Sequence, residues 1–452
     1  MTQPAGAYKL VMNRMSSQSL EQNTAEGAAL PLTSPHIQTV IEEELRRIPF
    51  IDVHTHLFMP SLGKLGLWGI DELLTYHYLE AEVFRFSTMR PEQYWAMSKR
   101  EQADFIWRTL FVENPPVSEA TRGIVCVMRE LGFEVSDAGL KEAREFFSEQ
   151  DLDSHIERVF KLAGMSEAVM TNDPLDPEEG ALWEKGAAPD SRFRPVLRLD
   201  RILNKWDQHW QVLLGKGYKV DGQLGETTFA EVRRFLADWC SRMKPIYMAC
   251  SLPDTFQFPE ESVRGRLLKE AVIPSCREHN IPLSLMIGVR YQVNPRIRLA
   301  GDAAGKADLR SLEHLCAQFP ANRFLTSVLS RENQHELCVY ARKFANLMPF
   351  GCWWFLNNPS VVEEVTRERI EMLGTSFIPQ HSDARVLEQV IYKWRNTRRT
   401  LAPILTNSFQ LLVEDGGRVT REQISQSIVR LFRSNFENFV SARGTGTLYS
   451  AA

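Results

Sequence analysis

Two histidines one residue apart stand in the segment FIDVHTHLF, residues 50–58, of a chain with only 10 histidines. The residues around them are apolar, and this pattern predicts a buried β-strand. Side chains two residues apart on a strand point the same way, so Asp52, His54 and His56 are expected to project together. Two neutral imidazoles that converge on one point are typical ligands of a divalent transition metal. The alternative is two histidines that share a strand without binding a ligand.

A further ligand is expected from the segment SFIPQHSDAR, residues 376–385, which is the last predicted strand. In a closed barrel the last strand lies beside the first, so Asp383 would complete a His–His–Asp site. His381 is the alternative ligand, because it precedes Asp383 by two residues and would share its face. Arg385 follows Asp383 by two residues and would face the same pocket. An aspartate in this position can instead be a helix N-cap.

Eight short apolar runs rich in strand-forming residues occur along the chain, and the later ones alternate with segments of helical periodicity. Most of these runs lack polar–apolar alternation, as expected when both faces of a strand are buried. The pattern predicts an α/β fold, a (β/α)8 TIM-type barrel, with an open doubly wound sheet as the alternative. The predicted strands are residues 48–57, 167–174, 193–200, 244–253, 281–290, 322–330, 348–358 and 376–385.

Two connections between the predicted strands are much longer than one helix requires. Residues 58–162 and 201–243 are mostly helical in pattern, and we interpret them as helical insertions after strands 1 and 3. No internal repeat and no low-complexity linker divides the chain. We therefore expect one barrel domain over residues 36–440, which includes the 58–162 insertion, between flexible tails at residues 1–35 and 441–452.

The composition restricts the class of partner. The 452 residues include 53 basic and 57 acidic side chains, a net charge of −4, which argues against nucleic acid or an anionic membrane as a partner. The seven cysteines are widely spaced and form no CxxC motif, so reduced thiols and a cytoplasmic location are expected. The sequence shows neither a signal peptide nor the ~20 apolar residues of a membrane helix. A small-molecule ligand is expected, and a homo-oligomer is left open.

The Asp-x-His-x-His motif with a late strand-end aspartate resembles the amidohydrolase superfamily. Three segments narrow the resemblance to the uronate (glucuronate) isomerase family. YHYLEAEVFR at residues 76–85 is similar to that family's D-H-Y segment, and FRPVLRLDRIL at residues 193–203 is similar to its W-R-P segment. CWWFLNNPSVVEEVTRERIEMLGTSFIPQHSDAR at residues 352–385 resembles its W-W-F strand and terminal T-D-S-R. The order and spacing agree over most of residues 45–440.

The resemblance implies a one-metal (β/α)8 enzyme that interconverts a hexuronate aldose and its ketose. The aldose would be glucuronate or galacturonate, and the ketose fructuronate or tagaturonate. The implied cofactor is one divalent ion, zinc with manganese as the alternative, and its implied ligands are His54, His56 and Asp383. The catalytic residues are expected to be Asp383, Tyr78 and His77. Asp383 or a metal-bound water is expected to be the leading proton carrier, with Tyr78 second. The residues expected to bind a sugar-acid substrate are Arg194, Arg385, Asp254 and Trp354, the last because Trp353 and Trp354 would alternate between core and pocket wall.

The chain departs from the family pattern at three positions. Tyr76 stands where the family has an aspartate, Met286 where it has a fifth-strand histidine, and Ser382 where it has a threonine. A thioether cannot carry a proton, so Met286 implies a different sugar acid or altered turnover. Two other functions therefore remain as alternatives. One is a metal-dependent hydrolase or decarboxylase on the same scaffold, and the other is a sugar-acid binding protein that has lost turnover.

Overall fold

The computed structural model describes Leu32 and residues 34–441 of the chain. The flexible tails expected at residues 1–35 and 441–452 lie almost wholly outside the described residues. The described part begins with a helix, α1 (Ser34–Arg47), which leads into the first strand.

The described chain is built around one curled sheet in which seven strands are parallel. Their order across the sheet is β1-β2-β3-β4-β5-β7-β8, and β6 pairs antiparallel with β5. This order follows the chain, whereas a doubly wound sheet reverses direction at a switch point, so the doubly wound alternative is wrong. The strands are β1 (Phe50–Thr55), β2 (Met165–Asn172), β3 (Phe193–Arg198), β4 (Met248–Pro253), β5 (Leu283–Arg290), β6 (Ala303–Ala304), β7 (Phe324–Val328) and β8 (Leu347–Pro349).

Seven of the eight predicted strands form ladder strands close to their predicted positions. The eighth, at residues 376–385, is not a regular strand, but its backbone bonds to the edge of the sheet. The Ile378 N–H donates to the Pro349 carbonyl at 3.1 Å, and the Gly351 N–H donates to the Ile378 carbonyl at 3.0 Å. One end of this segment is therefore held by β8.

The other end of the same segment is bonded to the opposite edge of the sheet. The Asp383 N–H donates to the His54 carbonyl at 3.2 Å, and the His56 N–H donates to the Ala384 carbonyl at 2.8 Å. Residues 378–384 thus link the last and the first parallel strands through main-chain hydrogen bonds.

Helices fill most of the connections between the strands. Of the described helices, seven lie between β1 and β2, namely α2 (Ile70–Leu74), α3 (His77–Phe86), α4 (Pro91–Trp95), α5 (Lys99–Trp107), α6 (Glu119–Leu131), α7 (Asp137–Glu149) and α8 (Leu152–Ala163). The middle of the chain contains α9 (Pro177–Glu184), α10 (Asp200–Asn204), α11 (Trp206–Gly215), α12 (Glu226–Met243), α13 (Val263–Leu267) and α14 (Ile273–Glu278). The remaining helices are α15 (Arg310–Gln318), α16 (Gln334–Ala341), α17 (Pro359–Leu373), α18 (Gln389–Glu414), α19 (Arg421–Val429) and α20 (Asn435–Ser441). None of the helices in the described range has both the length and the apolar character that a membrane span requires.

An apolar cluster fills the space inside the curled sheet. Its strand residues include Ile51, Val53, Val169, Val196, Met286 and Leu325, and Phe436 of α20 packs against them. The Phe436 ring lies near Tyr247, just before β4, with 6.3 Å between ring centroids. Helix α20 therefore covers the amino ends of the strands, and the opposite end remains for a functional site.

One buried carboxylate joins three parts of the structure. Asp52 of β1 is fully buried. Its Oδ1 accepts a hydrogen bond from the Ser382 N–H at 3.0 Å, and its Oδ2 accepts one from the Trp394 Nε1–H at 2.8 Å. Trp394 belongs to α18 and also stacks on Phe50 of β1, with 3.5 Å between ring centroids. The Asp52 carboxylate thus ties β1 to the segment that carries Asp383 and to α18.

We predict that Asp52→Asn destabilises the fold by about 1–3 kcal/mol, because the new amide group must face one of two buried N–H donors. The free energy of unfolding is measured by urea titration in the presence of a chelator. The matched control is Asp207→Asn on the exposed side of α11, which should change stability by less than about 0.5 kcal/mol. Equal effects of the two substitutions would show that the Asp52 hydrogen bonds contribute nothing.

Candidate active site

A cleft opens at the carboxyl ends of the parallel strands, which is where α/β barrel proteins carry their sites. Its cavity volume is about 120 Å³, and the empty space around it, which includes open solvent at the mouth, is about 740 Å³. The strands and the residues directly after them contribute His54, His56, Thr171, Arg198, Ser251 and Met286. The connecting segments contribute His77, Asp200, Tyr291, Leu299, Asp302, Trp353, Trp354, Asp383 and Arg385.

His54, His56 and Asp383 form a compact cluster in this cleft. The Asp383 Oδ1 lies 3.5 Å from the His54 Nε2 and 3.4 Å from the His56 Nε2. The three potential ligand atoms all lie within 4.8 Å of one another. The structure therefore brings together the three residues that the sequence predicts as a ligand set.

Local backbone geometry explains how these side chains meet. The pairing of β1 with β2 shifts register between Asp52 and Thr55, so simple alternation does not continue to the end of the strand. Asp52, which was predicted to project with the two histidines, instead bonds to Ser382 and Trp394 and does not line the cleft. Asp383 has a left-handed backbone conformation with φ of 51°, which aspartate tolerates better than most residues.

The electrostatics of the cluster suit a cation. Burial lowers the pKa of His56 to about 3, and the positive charge of Arg385 acts in the same direction, so this imidazole is neutral. Burial alone would raise the pKa of Asp383, but His54 and His56 beside it lower its pKa to well below the usual range. The result is an ionised carboxylate between imidazole nitrogens, and its Oδ1 is buried without a hydrogen-bond partner in the described chain. This donor set fits a divalent transition metal.

His77 and Tyr78 separate at the start of α3. His77 lines the cleft, and its Nε2 is buried without a hydrogen-bond partner in the described chain. Burial, followed by the charge of Arg385, lowers its pKa well below the ordinary value, so the ring is neutral. Tyr78 is not one of the cleft-lining residues; its ring packs behind the cleft against Tyr76 and His77, with centroid distances of 4.9 and 4.6 Å. Only His77 of this pair therefore reaches the cleft surface.

The structure separates the two arginines that were predicted to bind substrate. Arg385 lines the cleft, two residues after Asp383. Arg194 lies near the start of β3, with its Nη1 3.6 Å from Glu167 and its guanidinium 5.8 Å from the Phe436 ring. This is the end of the sheet that α20 covers, so the prediction that Arg194 faces the site is wrong. The arginine that β3 presents to the cleft is Arg198, four residues or about 13 Å further along.

Asp254 is also absent from the residues that line the cleft. It follows the last residue of β4, and its Oδ2 lies 3.8 Å from the Arg290 Nε. A Cβ built on Gly305 would lie 2.1 Å from the same Oδ2, so the carboxylate packs on the β5–β6 hairpin. The acidic residues that line the cleft are instead Asp200 and Asp302, besides Asp383.

Trp353 belongs to the buried cluster inside the sheet, whereas Trp354 is partly buried and packs against that cluster. This matches the expected division between core and pocket wall, although both residues contact the cleft. The segment is not a strand, since a short 3-10 helix spans Trp354–Leu356. Trp354 has φ of 45°, and its Nε1 is buried without a partner in the described chain.

His381, the alternative ligand, lies behind His54, with 5.2 Å between ring centroids, and it does not line the cleft. Met286 does line the cleft, as the sequence analysis implied for the position where the family carries a histidine. Arg198 and Asp200 stand at the end of the predicted strand 193–200, so the rule that sites lie at carboxyl ends of strands would have found them. Tyr291 and Asp302 lie on a loop after β5 for which the sequence offers no comparable signal.

Known structures resemble this chain over almost its whole length. No protein-family model matches the chain, and no curated protein sequence matches it. A uronate isomerase from Bacillus halodurans C-125 is 48% identical, with a TM-score of 0.89 over 93% of this chain and 99% of that one. A uronate isomerase from Thermotoga maritima shares 15% identity with a TM-score of 0.71, covering 91% of this chain and 98% of that one. A glucuronate isomerase from Caulobacter crescentus shares 12% identity with a TM-score of 0.70, covering 91% and 95%. The latter two similarities concern the fold.

The curled parallel sheet and the strand-end cluster of imidazoles and carboxylate place the molecule among barrel-type α/β proteins with a candidate metal centre. The similarity in sequence and structure to the Bacillus halodurans protein extends over nearly the whole of both chains. The chain belongs to the uronate isomerase family.

We predict that purified protein binds one equivalent of zinc or manganese through His54, His56 and Asp383. The double variant His54→Ala/His56→Ala should lose more than about 100-fold in metal affinity, beyond the 10–100-fold effect of residues that only support ligands. Metal content is measured by mass spectrometry after dialysis. His381→Ala and the surface variant His335→Ala should retain the ion. Retention in the double variant would place the metal elsewhere.

Proposed function

We propose that this chain interconverts a hexuronate aldose and its ketose, with glucuronate or galacturonate as the aldose and fructuronate or tagaturonate as the ketose. One observation supports this most directly. In a member of this family, a single cleft contains the His54, His56 and Asp383 cluster together with the guanidinium groups of Arg198 and Arg385. The first set suits a metal, and the second suits the carboxylate of a sugar acid.

Aldose–ketose isomerisation moves a proton between neighbouring carbons while the carbonyl shifts along the chain. The reaction needs an acid–base group near the moving proton and stabilisation of the negative charge that develops on the enediolate oxygens. We assign one divalent ion, zinc with manganese as the alternative, to His54, His56 and Asp383. When bound there, the ion supplies Lewis-acid stabilisation of negative charge on substrate oxygens.

Two side chains at the cleft surface can carry the proton. Asp383 is ionised and lies in the cluster, and it is our leading proton carrier. His77 is neutral, lines the cleft and has an unpartnered ring nitrogen, so it can donate to or accept from a substrate hydroxyl. Tyr78 becomes the weaker candidate, because its phenol packs behind the cleft surface. In the proposed scheme Tyr78 supports the orientation of His77 through the ring contact between them.

The substrate carboxylate is assigned to the arginines of the cleft. The Arg198 Nε donates to Asp200, and Asp200 is fixed in turn by the Ser251 N–H, which donates to its Oδ1 at 2.7 Å. These bonds orient the Arg198 guanidinium, and its Nη groups remain to donate to an anion. Arg385 carries a second positive charge in the same cleft and forms no ion pair with the residues that the structure describes.

We also propose the complete architecture behind this site. Residues 378–384 act as an eighth staggered strand that closes a (β/α)8 barrel, and residues 58–162 and 201–243 are helical insertions after strands 1 and 3. The barrel and its insertions form one domain over residues 36–440. The main-chain bonds of residues 378–384 to both β8 and β1 support this proposal.

The proposed function is tested with a panel of hexuronates and related acids, with zinc or manganese added, and NMR of the products. An isomerase produces a ketose of unchanged mass from an aldose. A hydrolase or decarboxylase would change the mass of its substrate. A binding protein would retain a sugar acid without turnover. Either of these last two outcomes would reject the isomerase.

We predict that Arg198→Met and Arg385→Met weaken recognition of a hexuronate relative to the corresponding neutral aldose. A charge-assisted hydrogen-bonded pair contributes about 1.5–3 kcal/mol, so kcat/KM for the uronate should fall by roughly 10–150-fold more than for the neutral sugar. Arg194→Met is the matched control, because its guanidinium lies at the other end of β3. Equal losses for both sugars, or a loss in the Arg194 variant, would contradict the assignment.

We predict that Met286→His changes the preference between hexuronates, because an imidazole in the cleft can bond to a hydroxyl that a thioether cannot hold. The ratio of kcat/KM for glucuronate to that for galacturonate is measured in the native protein and in the variant. Acid–base groups typically contribute 10²–10⁴-fold, so the native rate should also be below that of the variant for one of these sugars. Identical ratios and rates would show that residue 286 does not contact the substrate.

A further inference from the structure

The segment that carries Trp353 and Trp354 follows a path that its own residues do not favour. Trp354 has φ of 45°, a left-handed conformation that is rare for a bulky side chain. Gly351 has φ of 65°, and a Cβ built there would lie 2.0 Å from the Cδ2 of His381, so only glycine fits. A strained segment of this kind persists only where the surrounding structure holds it.

Arg369 of α17 provides one such support. The residue is 1% exposed. Its Nη1 donates to the Gly351 carbonyl at 2.9 Å, and its Nη2 donates to the Gln334 Oε1 at 3.0 Å. The Gln334 Nε2 in turn donates to the carbonyls of Val328 at 3.1 Å and Ser330 at 3.2 Å, at the end of β7. The guanidinium therefore connects the tryptophan segment to the carboxyl end of a barrel strand.

Gln380 provides a second support from the segment that leads to Asp383. Its Oε1 accepts a hydrogen bond from the Cys352 N–H at 2.6 Å. Its Nε2 donates to the Asn357 Oδ1 at 2.8 Å. The Gln380 side chain thus bonds to Cys352 before the two tryptophans and to Asn357 after them. It holds this segment against residues 378–384.

An arginine at the buried position 369 needs an explanation other than stability. Moving a charge from water into a core is costly. The hydrogen-bond partners of the Arg369 Nη groups are a carbonyl and an amide rather than a carboxylate, and its Nε is buried without a partner in the described chain. Stability alone does not explain such a residue, because an apolar side chain of similar size is often at least as stabilising in a core. A planar guanidinium, however, reaches two acceptors at fixed angles, which a flexible side chain does not do.

We propose that Arg369 is a positioning residue for the reaction, which acts by holding the Trp354 indole at the cleft wall. The Trp354 Nε1–H, which is buried without a partner in the described chain, is then aimed at a substrate oxygen. This inference rests on the proposed function for its kinetic test. A displacement of about 1 Å in such a group costs up to about 10²-fold in rate.

The kinetic test is a double-mutant cycle between Arg369→Met and Trp354→Phe. We expect each single variant to lower kcat/KM for the preferred hexuronate by roughly 10–100-fold. We expect the double variant to be little worse than either, because Arg369 acts through the indole N–H that phenylalanine lacks. Arg369→Lys should not restore activity, since one ammonium cannot replace the two-pronged contact. All assays are run well below the melting temperature of each variant, and metal content is measured in parallel.

The matched control is Arg367→Met on the same helix, where the arginine is exposed and pairs with Glu363 at 2.8 Å. It should leave kcat/KM unchanged. Effects of Arg369 and Trp354 that simply multiply would show that Arg369 is only structural. An Arg369→Met variant with native kcat/KM would also overturn the proposal. If Arg369→Met does not fold, Arg369→Lys enters the same cycle with the same expectations.

A second readout does not depend on activity. Hydrogen exchange of the 350–357 segment, followed by mass spectrometry, should accelerate in Arg369→Met and stay unchanged in Arg367→Met. If no hexuronate is turned over by the native protein while this exchange accelerates, the proposed function fails and the support by Arg369 stands. Unchanged exchange in Arg369→Met would reject the support itself.

Discussion

The site depends on one hydrogen bond that joins the two ends of the sheet. The Asp52 carboxylate accepts the Ser382 N–H across a sequence separation of 330 residues. Directly after this contact in both segments, main-chain bonds connect His54 with Asp383 and His56 with Ala384. Three potential ligand atoms from distant parts of the chain consequently meet within 4.8 Å. Closing so long a loop is entropically costly, and the packing of α18 on β1, through the Asp52 bond to Trp394, helps to offset that cost.

Three polar groups at the cleft are buried without hydrogen-bond partners in the described chain, namely the ring nitrogen of His77, the indole N–H of Trp354 and one oxygen of Asp383. Other unpartnered buried groups lie away from the cleft, for example the indole N–H groups of Trp107 and Trp183. Each such group costs free energy in the folded protein, on the order of 1–3 kcal/mol, and the three at the cleft are those that a ligand there could reach. A cation at Asp383 and a polyhydroxylated ligand beside His77 and Trp354 would satisfy all three. Binding of such ligands would recover part of that free energy, which supports the proposed polar substrate.

The sequence predicted the parts of the site that follow from strand geometry and missed those that follow from the path of loops. His54, His56 and Asp383 could be foreseen, because strand ends meet at one edge of a barrel. Arg194 was assigned to the site from a short motif, but position along the strand decides which end a side chain serves, and Arg198 is the arginine at the correct end. The tryptophan pair divides between core and cleft wall as expected, but by the turn into a 3-10 helix rather than by strand alternation. The loop after β5 has no sequence signal, because its contribution depends on a tertiary path.

Two buried ionisable groups support the cleft lining by directional hydrogen bonds. The Asp52 carboxyl oxygens accept from N–H donors of Ser382 and Trp394, and burial raises the pKa of this carboxyl. The N–H groups of Arg369 donate to oxygen acceptors. No oppositely charged partner lies within ion-pair distance of Asp52 or Arg369 in the described chain, so these hydrogen bonds hold both side chains in place. Hydrogen bonds to a charged group contribute about 1.5–3 kcal/mol each and are strongly directional. Asp52 thereby holds the segment of Asp383, and Arg369 holds the segment of Trp354, each at a residue with positive φ. Asp383 and Trp354 line the same cleft, so the hydrogen bonds of Asp52 and Arg369 stabilise two parts of one cleft lining.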